Sequence, residues 1–171
     1  MFIRFFIFTA IKYFMRIGFG FDVHQLKDGN DFWLGGIKIE HGKGAVGHSD
    51  ADVVIHAICD ALLGAAALGD IGKHFPDTSE KFKNIDSKIL LAEVVKLIGA
   101  KNYKVGNIDV SLCLEKPKIA RHIDKMKQTL APLLHISADD ISIKATTNEK
   151  MGFIGREEGV ACYAVALLER K

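Results

Sequence analysis

The segment GHSDADVVIHAICDALLGAAALGD, residues 47–70, constrains the fold more than any other part of this 171-residue chain. Over residues 49–67 its periodicity is helical, with Ser49 or Asp50 placed to cap the N-terminus and Asp52 in the first turn. Asp52, His56 and Asp60 recur every four residues and share one face, while Val53, Ile58 and Leu62 make the opposite face apolar. A helix with one greasy side needs a partner layer. Its polar stripe is open to two readings: solvated surface, the ordinary role of such a stripe, or groups aimed at a site.

The remaining pattern supplies the partner layer. Strand-like runs over residues 16–23 and 32–40 flank a KDGND turn. After the helix come a polar loop through Pro76 and a second amphipathic helix, DSKILLAEVVKLIG, capped by Asp86 or Ser87 and stopped at Gly99. Val105, Ile108, Val110, Leu112 and Leu114 trace a strand. A helical IARHIDKMKQTLAPLL follows, with Pro132 marking a kink or an early end. ISIKATT and VACYAVALLE read as the last strands, joined by a glycine-rich turn. Strands alternating with helices predict a single-domain α/β (α+β) two-layer sandwich, helices over a mixed sheet. The sheet's small and aliphatic residues imply that another subunit covers its second face.

Hydrophobic residues make up 49% of the chain, charged residues 26%, and the net charge is +2. This is the balance of a soluble globular protein, with no electrostatic reason to expect a nucleic-acid or membrane partner. Cys59, Cys113 and Cys162 stand far apart in apolar runs with no CxxC pair, as buried thiols of a reducing, cytoplasmic compartment do. The opening MFIRFFIFTAIKYF, residues 1–14, is apolar but broken by Arg4 and Lys12. It is shorter than the ~20 residues of a spanning helix, and no small-residue cleavage site follows it. It reads as an extension outside the fold, with a targeting segment as the second reading and residues 15–171 forming the domain.

In RIGFGFDVHQL, residues 16–26, Asp22 and His24 lie one residue apart on a strand and project from one side of the sheet. Joined by His56, they offer one carboxylate oxygen and two imidazole nitrogens. That donor set suits Zn2+, or another divalent transition metal, in a site with three protein ligands and a position left for a reactant. Alone, the DxH pattern is weak. GFGFDVH is no dinucleotide fingerprint, because its glycines enter a strand and a third is missing; GxxxxGK[ST] and GxSxG are also absent.

Four long blocks, RIGFGFDVH, the 47–78 segment ending KHFPDT, GNIDVSLCLEKPKI and KATTNEKMGFIGREEGVAC, carry a resemblance to the 2-C-methyl-D-erythritol 2,4-cyclodiphosphate synthase family over residues 15–171. The resemblance implies Asp22, His24 and His56 as zinc ligands. His48 and Ser49 then contact substrate, with His48 and Thr147 assisting the transition state. The methylerythritol phosphate falls to Asp70, Ile71, Gly72, Phe75, Pro76, Asp77, Thr78 and Ser79, with Val23 beside the metal ligands. The cytidine diphosphate falls to Leu114, Glu115, Lys116, Pro117, Lys118, Ile119 and Ala120, together with Thr146, Thr147, Asn148 and Glu149. Glu149 also holds a second metal, Mg2+ or Mn2+, and Phe153 and Arg156 complete the set.

The implied reaction turns 4-diphosphocytidyl-2-C-methyl-D-erythritol 2-phosphate into the 2,4-cyclodiphosphate and CMP in non-mevalonate isoprenoid synthesis. The substrate's own 2-phosphate is the nucleophile, so no protein nucleophile is needed. The resemblance further implies a homotrimer whose sheets pack around its axis, with sites between subunits. Tyr163 and Phe19 depart from the family pattern. Two other readings remain: a zinc phosphohydrolase activating water with the same ligands, and a non-catalytic trimer binding isoprenoid diphosphates near Phe153 and Arg156. Taken without the resemblance, Asp70, Gly72 and FPDT are ordinary turn chemistry, and His41, His74, His122 and His135 have no assigned role.

Overall fold

The computed structural model describes residues 15–171, so the expectation for residues 1–14 lies outside the described residues. The chain runs through β1 (Met15–Asp28), β2 (Phe32–Leu34), β3 (Ile37–Ile39), β4 (Lys43–Ala45), α1 (Val53–Ala65), α2 (Ile71–His74) and α3 (Ser87–Ala100). It continues with β5 (Tyr103–Cys113), α4 (Ile123–Leu134), β6 (Ile141–Thr146), α5 (Gly152–Gly155) and β7 (Gly159–Arg170). Five strands form one sheet in the order β4-β1-β7-β5-β6. β1, β7 and β5 pair antiparallel, whereas β5 and β6 are parallel. A parallel pair needs a crossover, and α4 provides it. The sheet is mixed, with helices layered over it, as the alternation predicts.

Helix α1 is the centre of the core. Ten of its residues are buried, including Val53, Ile58 and Leu62 of the expected apolar face. Its supposed polar face is not solvated: Asp52 is fully buried, and His56 and Asp60 are half-buried. The solvated-surface reading therefore fails. The helix is sandwiched closely between sheet and neighbouring helix, which leaves only a narrow part of it near water.

Glycine makes that closeness possible. Gly18 and Gly20 are buried on the helix side of β1, and a Cβ on either would lie 1.8 Å from the carbonyl oxygen of Ala61 or 2.0 Å from that of Ala57. Helix backbone rests directly on strand backbone, with alanines Ala57, Ala61 and Ala65 completing the small-residue seam. Strand alternation sends Ile17, Phe19, Phe21 and Val23 to the other side of the sheet. There they remain 43–73% exposed.

Three local expectations change. Residues 32–40 form no single strand but a hairpin, β2 paired with β3. Gly35 and Gly36, at φ +58° and +79°, adopt the left-handed pair of values that a two-residue hairpin turn requires. The cap of α1 is Asp52 rather than Ser49 or Asp50. Its carboxylate accepts from the amides of Val54 and Ile55, both at 3.1 Å, and from Gly35 and Gly36 at 2.9 and 2.6 Å. One buried side chain thus caps a helix and pins a hairpin. Burial pushes the Asp52 carboxyl upward, against which the amides of Gly36, Ile55 and Gly35 act. Finally, α4 passes through Pro132 and ends at Leu134, where His135 takes the left-handed cap at φ +57°. By contrast, Asp86 caps α3 as expected.

Substituting Gly20→Ala should force α1 off β1. An unfolding free energy lowered by about 1–3 kcal/mol, the range for overpacked cores, is expected in urea titration. A value within about 0.5 kcal/mol of the parent would contradict direct backbone contact.

Candidate functional site

Asp22 and His24 occupy the same side of β1 as Gly18 and Gly20, and His56 sits on α1 immediately before Ala57, whose carbonyl faces Gly20. The helix contact therefore delivers the third group. His24 Nε2 lies 3.0 Å from Asp22 Oδ2 and 3.1 Å from His56 Nδ1, and His56 Nδ1 lies 3.1 Å from Asp22 Oδ2. The three residues are the metal-type cluster found among the described residues.

The outward nitrogens of both rings decide what the inward ones carry. His24 Nδ1 is 3.0 Å from the carbonyl of Val46, which can only accept, so Nδ1 bears the proton and Nε2 of the neutral ring is bare. His56 Nε2 lies 2.9 Å from Ser87 Oγ and 3.2 Å from Ser49 Oγ. Lone pairs converging at about 3 Å repel unless a proton or a metal ion lies among them. A tetrahedral zinc site with bonds of about 2.0–2.2 Å spaces its ligand atoms roughly 3.3 Å apart, so donor types and spacing both fit. Val46, Ser87 and its neighbour Asp50 have no distinguishing sequence pattern; Ser87 reads in the sequence only as a helix cap.

The cluster opens into a cavity of about 400 Å³, lined by His24, His48, Ser49, His56, Ile71, Gly72, Phe75 and Asp77 of the expected residues. This is within the usual size for a small-molecule site. Phe82, Ile85 and Leu90 add an apolar wall that the sequence did not reveal. His48 Nε2 donates to the carbonyl of Ser79 at 3.1 Å, and Asp60 accepts from the amide of Ile71 at 2.7 Å, tethering the two loops that border the cavity. Asp70 caps α2 through the amide of Lys73, while Pro76 and Thr78 are exposed beside it. Val23 does not join the group, because alternation turns it to the opposite face of the sheet.

Leu114, Glu115, Pro117, Lys118, Ile119, Thr146 and Thr147 come together around a separate cavity of about 70 Å³. The two cavities share no lining residue. Glu115 accepts from the amides of Asn148 and Lys150 at 3.1 and 2.9 Å, and Thr147 donates to Glu149 at 2.9 Å, so the two loops are fastened to one another. Lys116 pairs with Glu157 at 2.9 Å, and Ala120 begins a 3-10 turn. Phe153 and Arg156 line neither cavity; Arg156 pairs with Glu158 at 2.8 Å.

Residues 15–169 match the family model described as YgbB family. The chain belongs to that family. It is 64% identical over 156 residues to a protein of Phocaeicola vulgatus named 2-C-methyl-D-erythritol 2,4-cyclodiphosphate synthase, covering 91% of this chain and 98% of that one. Among solved structures of the family, the bifunctional IspDF from Campylobacter jejuni superposes with TM-score 0.90 at 38% identity; 93% of this chain covers 43% of that longer one. A CDP complex of Plasmodium falciparum IspF superposes with TM-score 0.81 at 36% identity, covering 92% and 97% of the two chains.

In this YgbB-family chain, burial opposes ionisation of Asp22, but hydrogen bonds and charge from His24 and His56 outweigh it and bring its carboxyl down to about 2. Burial likewise opposes protonation of His24, yet the hydrogen bond and charge of Asp22 raise it above 6.5. The Asp22 contribution to metal-free stability is therefore present above its ordinary 3.8 and lost as pH falls through about 2. That of His24 is complete below 6.5 and lost as pH rises through its raised value. A metal must displace that proton. Zinc affinity, read by chelator competition, should fall as pH is lowered from about pH 8 to about pH 6, with protons released on binding. Affinity constant across that interval would be inconsistent with His24 as a ligand.

Proposed function

We propose that this YgbB-family chain converts 4-diphosphocytidyl-2-C-methyl-D-erythritol 2-phosphate into 2-C-methyl-D-erythritol 2,4-cyclodiphosphate and CMP, a metal-dependent cyclising lyase step of non-mevalonate isoprenoid synthesis. The observation that carries it is the convergence of Asp22, His24 and His56, with His24 and His56 at the wall of a cavity of about 400 Å³, in a chain 64% identical to a relative named for this activity. Asp22, His24 and His56 hold Zn2+ or another divalent transition ion, and Glu149 holds Mg2+ or Mn2+. Bound there, such ions polarise phosphate oxygens and offset charge on the leaving group. His48, Ser49 and the loop residues Asp70, Ile71, Gly72, Phe75, Asp77 and Ser79 orient the methylerythritol phosphate, with His48 and Thr147 supporting the transition state. The loops around Glu115 and Asn148 take the cytidine diphosphate.

The attacking phosphate belongs to the substrate, so the protein's task is to hold two ends of one anion together. Positioning of that kind is worth on the order of 7–11 kcal/mol when the geometry is right. The apolar wall of Phe75, Phe82 and Leu90 excludes water that would otherwise compete as nucleophile. Residues 15–171 form the catalytic unit, with residues 1–14 outside it, and the three unpaired cysteines suit a reducing cytoplasm. No helix among the described residues is long and apolar enough to cross a membrane.

A cavity of about 70 Å³ is well under the ~300 Å³ of ordinary ligand sites, so the nucleotide end needs another wall. Across the sheet, Ile17, Phe19, Phe21, Val23, Tyr163 and Val165 form an exposed apolar face, stitched by a Phe21–Tyr163 ring contact at 5.0 Å. We assign this face to a homotrimer whose sheets meet at its axis, with sites shared between neighbours. The double substitution Phe19→Asp, Phe21→Asp should yield monomers by sedimentation and lose turnover; trimers of unchanged mass would refute the assignment.

Turnover in oxygen-18 water separates cyclisation, which leaves CMP and product unlabelled, from hydrolysis, which labels a phosphate. His56→Ala should lose zinc and more than about 100-fold in turnover, since even groups that merely support metal ligands cost 10–100-fold. Labelled product, or parental turnover by that variant, would sink the proposal.

A further inference from the structure

We propose that Asp50 and Ser87 are positioning residues for the metal site, forming a one-way hydrogen-bond chain that keeps Nδ1 of His56 unprotonated toward Asp22 and His24. The inference rests on the metal-site reading above and adds to it the groups that set the state of one ligand. Ser87 Oγ lies 2.9 Å from His56 Nε2 and 2.5 Å from Asp50 Oδ1, and the Ser87 amide donates to Asp50 Oδ2 at 2.9 Å. Both carboxylate oxygens of Asp50 thus grip one residue.

Direction follows from counting protons. A hydroxyl has one proton and can donate only once, while an ionised carboxylate can only accept. The serine proton therefore goes to Asp50, and Ser87 Oγ turns a lone pair to the ring. His56 must then carry its proton on Nε2, which leaves Nδ1 bare at 3.1 Å from both Asp22 Oδ2 and His24 Nε2. A serine alone would not settle the matter, because it could rotate and donate to the ring. The carboxylate behind it removes that option. Ser49 Oγ, 3.2 Å from the same nitrogen, takes the Ala51 amide at 3.2 Å and can share the Nε2 proton that Ser87 dictates.

The chain also ties the metal site to a distant element. Ser87 is the first residue of α3, fully buried, and 31 positions from His56. Its approach is held by two backbone bonds between the loops, Asp50 N to Ile85 O at 3.2 Å and Asn84 N to His48 O at 2.7 Å. His24 achieves the same end more simply, through the Val46 carbonyl. Both imidazoles are locked by partners that force the bare nitrogen inward.

The test uses the purified protein with zinc as probe. Chelator competition gives affinity, and nitrogen-15 imidazole NMR of the metal-free protein gives the His56 tautomer. The parent should show the Nε2–H form. Ser87→Ala removes the acceptor. Asp50→Asn lets an amide donate to Ser87, so that the serine proton can turn to the ring and drive a proton onto Nδ1. Each should weaken zinc binding about 10–100-fold, with Ser87→Thr staying within about threefold of the parent because it keeps the hydroxyl. An Nδ1–H tautomer in the parent would overturn the inference even if both variants failed to fold. So would lowered melting temperature with unchanged affinity in Ser87→Ala and Asp50→Asn, the result of a purely structural role. Failure of the parent itself to bind zinc would instead remove the metal-site reading, and the relay with it.

Discussion

Backbone contact between α1 and β1 is the constraint on which the rest of the structure depends. Gly18 and Gly20 leave no side chain between strand and helix, so carbonyls of Ala57 and Ala61 come within the space a Cβ would take. Two residues further along the same face, the strand carries Asp22 and then His24, and the helix answers with His56. Had the helix ridden higher on larger residues, its imidazole would be carried away from the strand pair. The small-residue seam and the donor cluster are one construction. Because protein interiors are close-packed and yield little, the seam fixes the site with the stiffness of a core.

Acidic residues give that construction its orientation. Asp52, inside the core, gathers four backbone amides from a helix end and a hairpin turn. Asp50 holds both the amide and the hydroxyl of Ser87, and Asp60 holds the loop of α2 by the amide of Ile71. None of the three is a donor to the metal-type cluster. Each instead satisfies backbone or hydroxyl groups that would be costly to leave unpaired away from water. The result is a site whose walls are set by the N-termini and flanking loops of three helices.

The opposite side of the sheet tells a complementary story. Alternation along β1 places Gly18, Gly20, Asp22 and His24 inward and Ile17, Phe19, Phe21 and Val23 outward. One strand thus serves a metal-type site on one face and an apolar surface on the other. A contiguous apolar patch of this kind marks an interaction surface. The same sheet ends carry the loops around Glu115 and Asn148, whose cavity is only about 70 Å³. Assembly and site completion are thereby joined in the proposed trimer.

Much of this was legible from residue order. The alternation of periods announced a mixed sheet with helices over it, and one-residue spacing in DxH placed two donors on one face, since a strand's period is two. Helical spacing grouped Asp52, His56 and Asp60, but the chain alone left their solvation open. Sequence by itself determined which side chains share an element and a face, because those are local consequences of φ and ψ. It did not announce that 32–40 breaks into a hairpin at Gly35 and Gly36, that Asp52 caps α1, or that Ser87 meets His56. Only the tertiary structure decided those, along with the Phe82 and Leu90 wall and the meeting of His56 with β1. Such contacts depend on how closely separate elements approach, and that distance is set by packing among residues far apart in the chain.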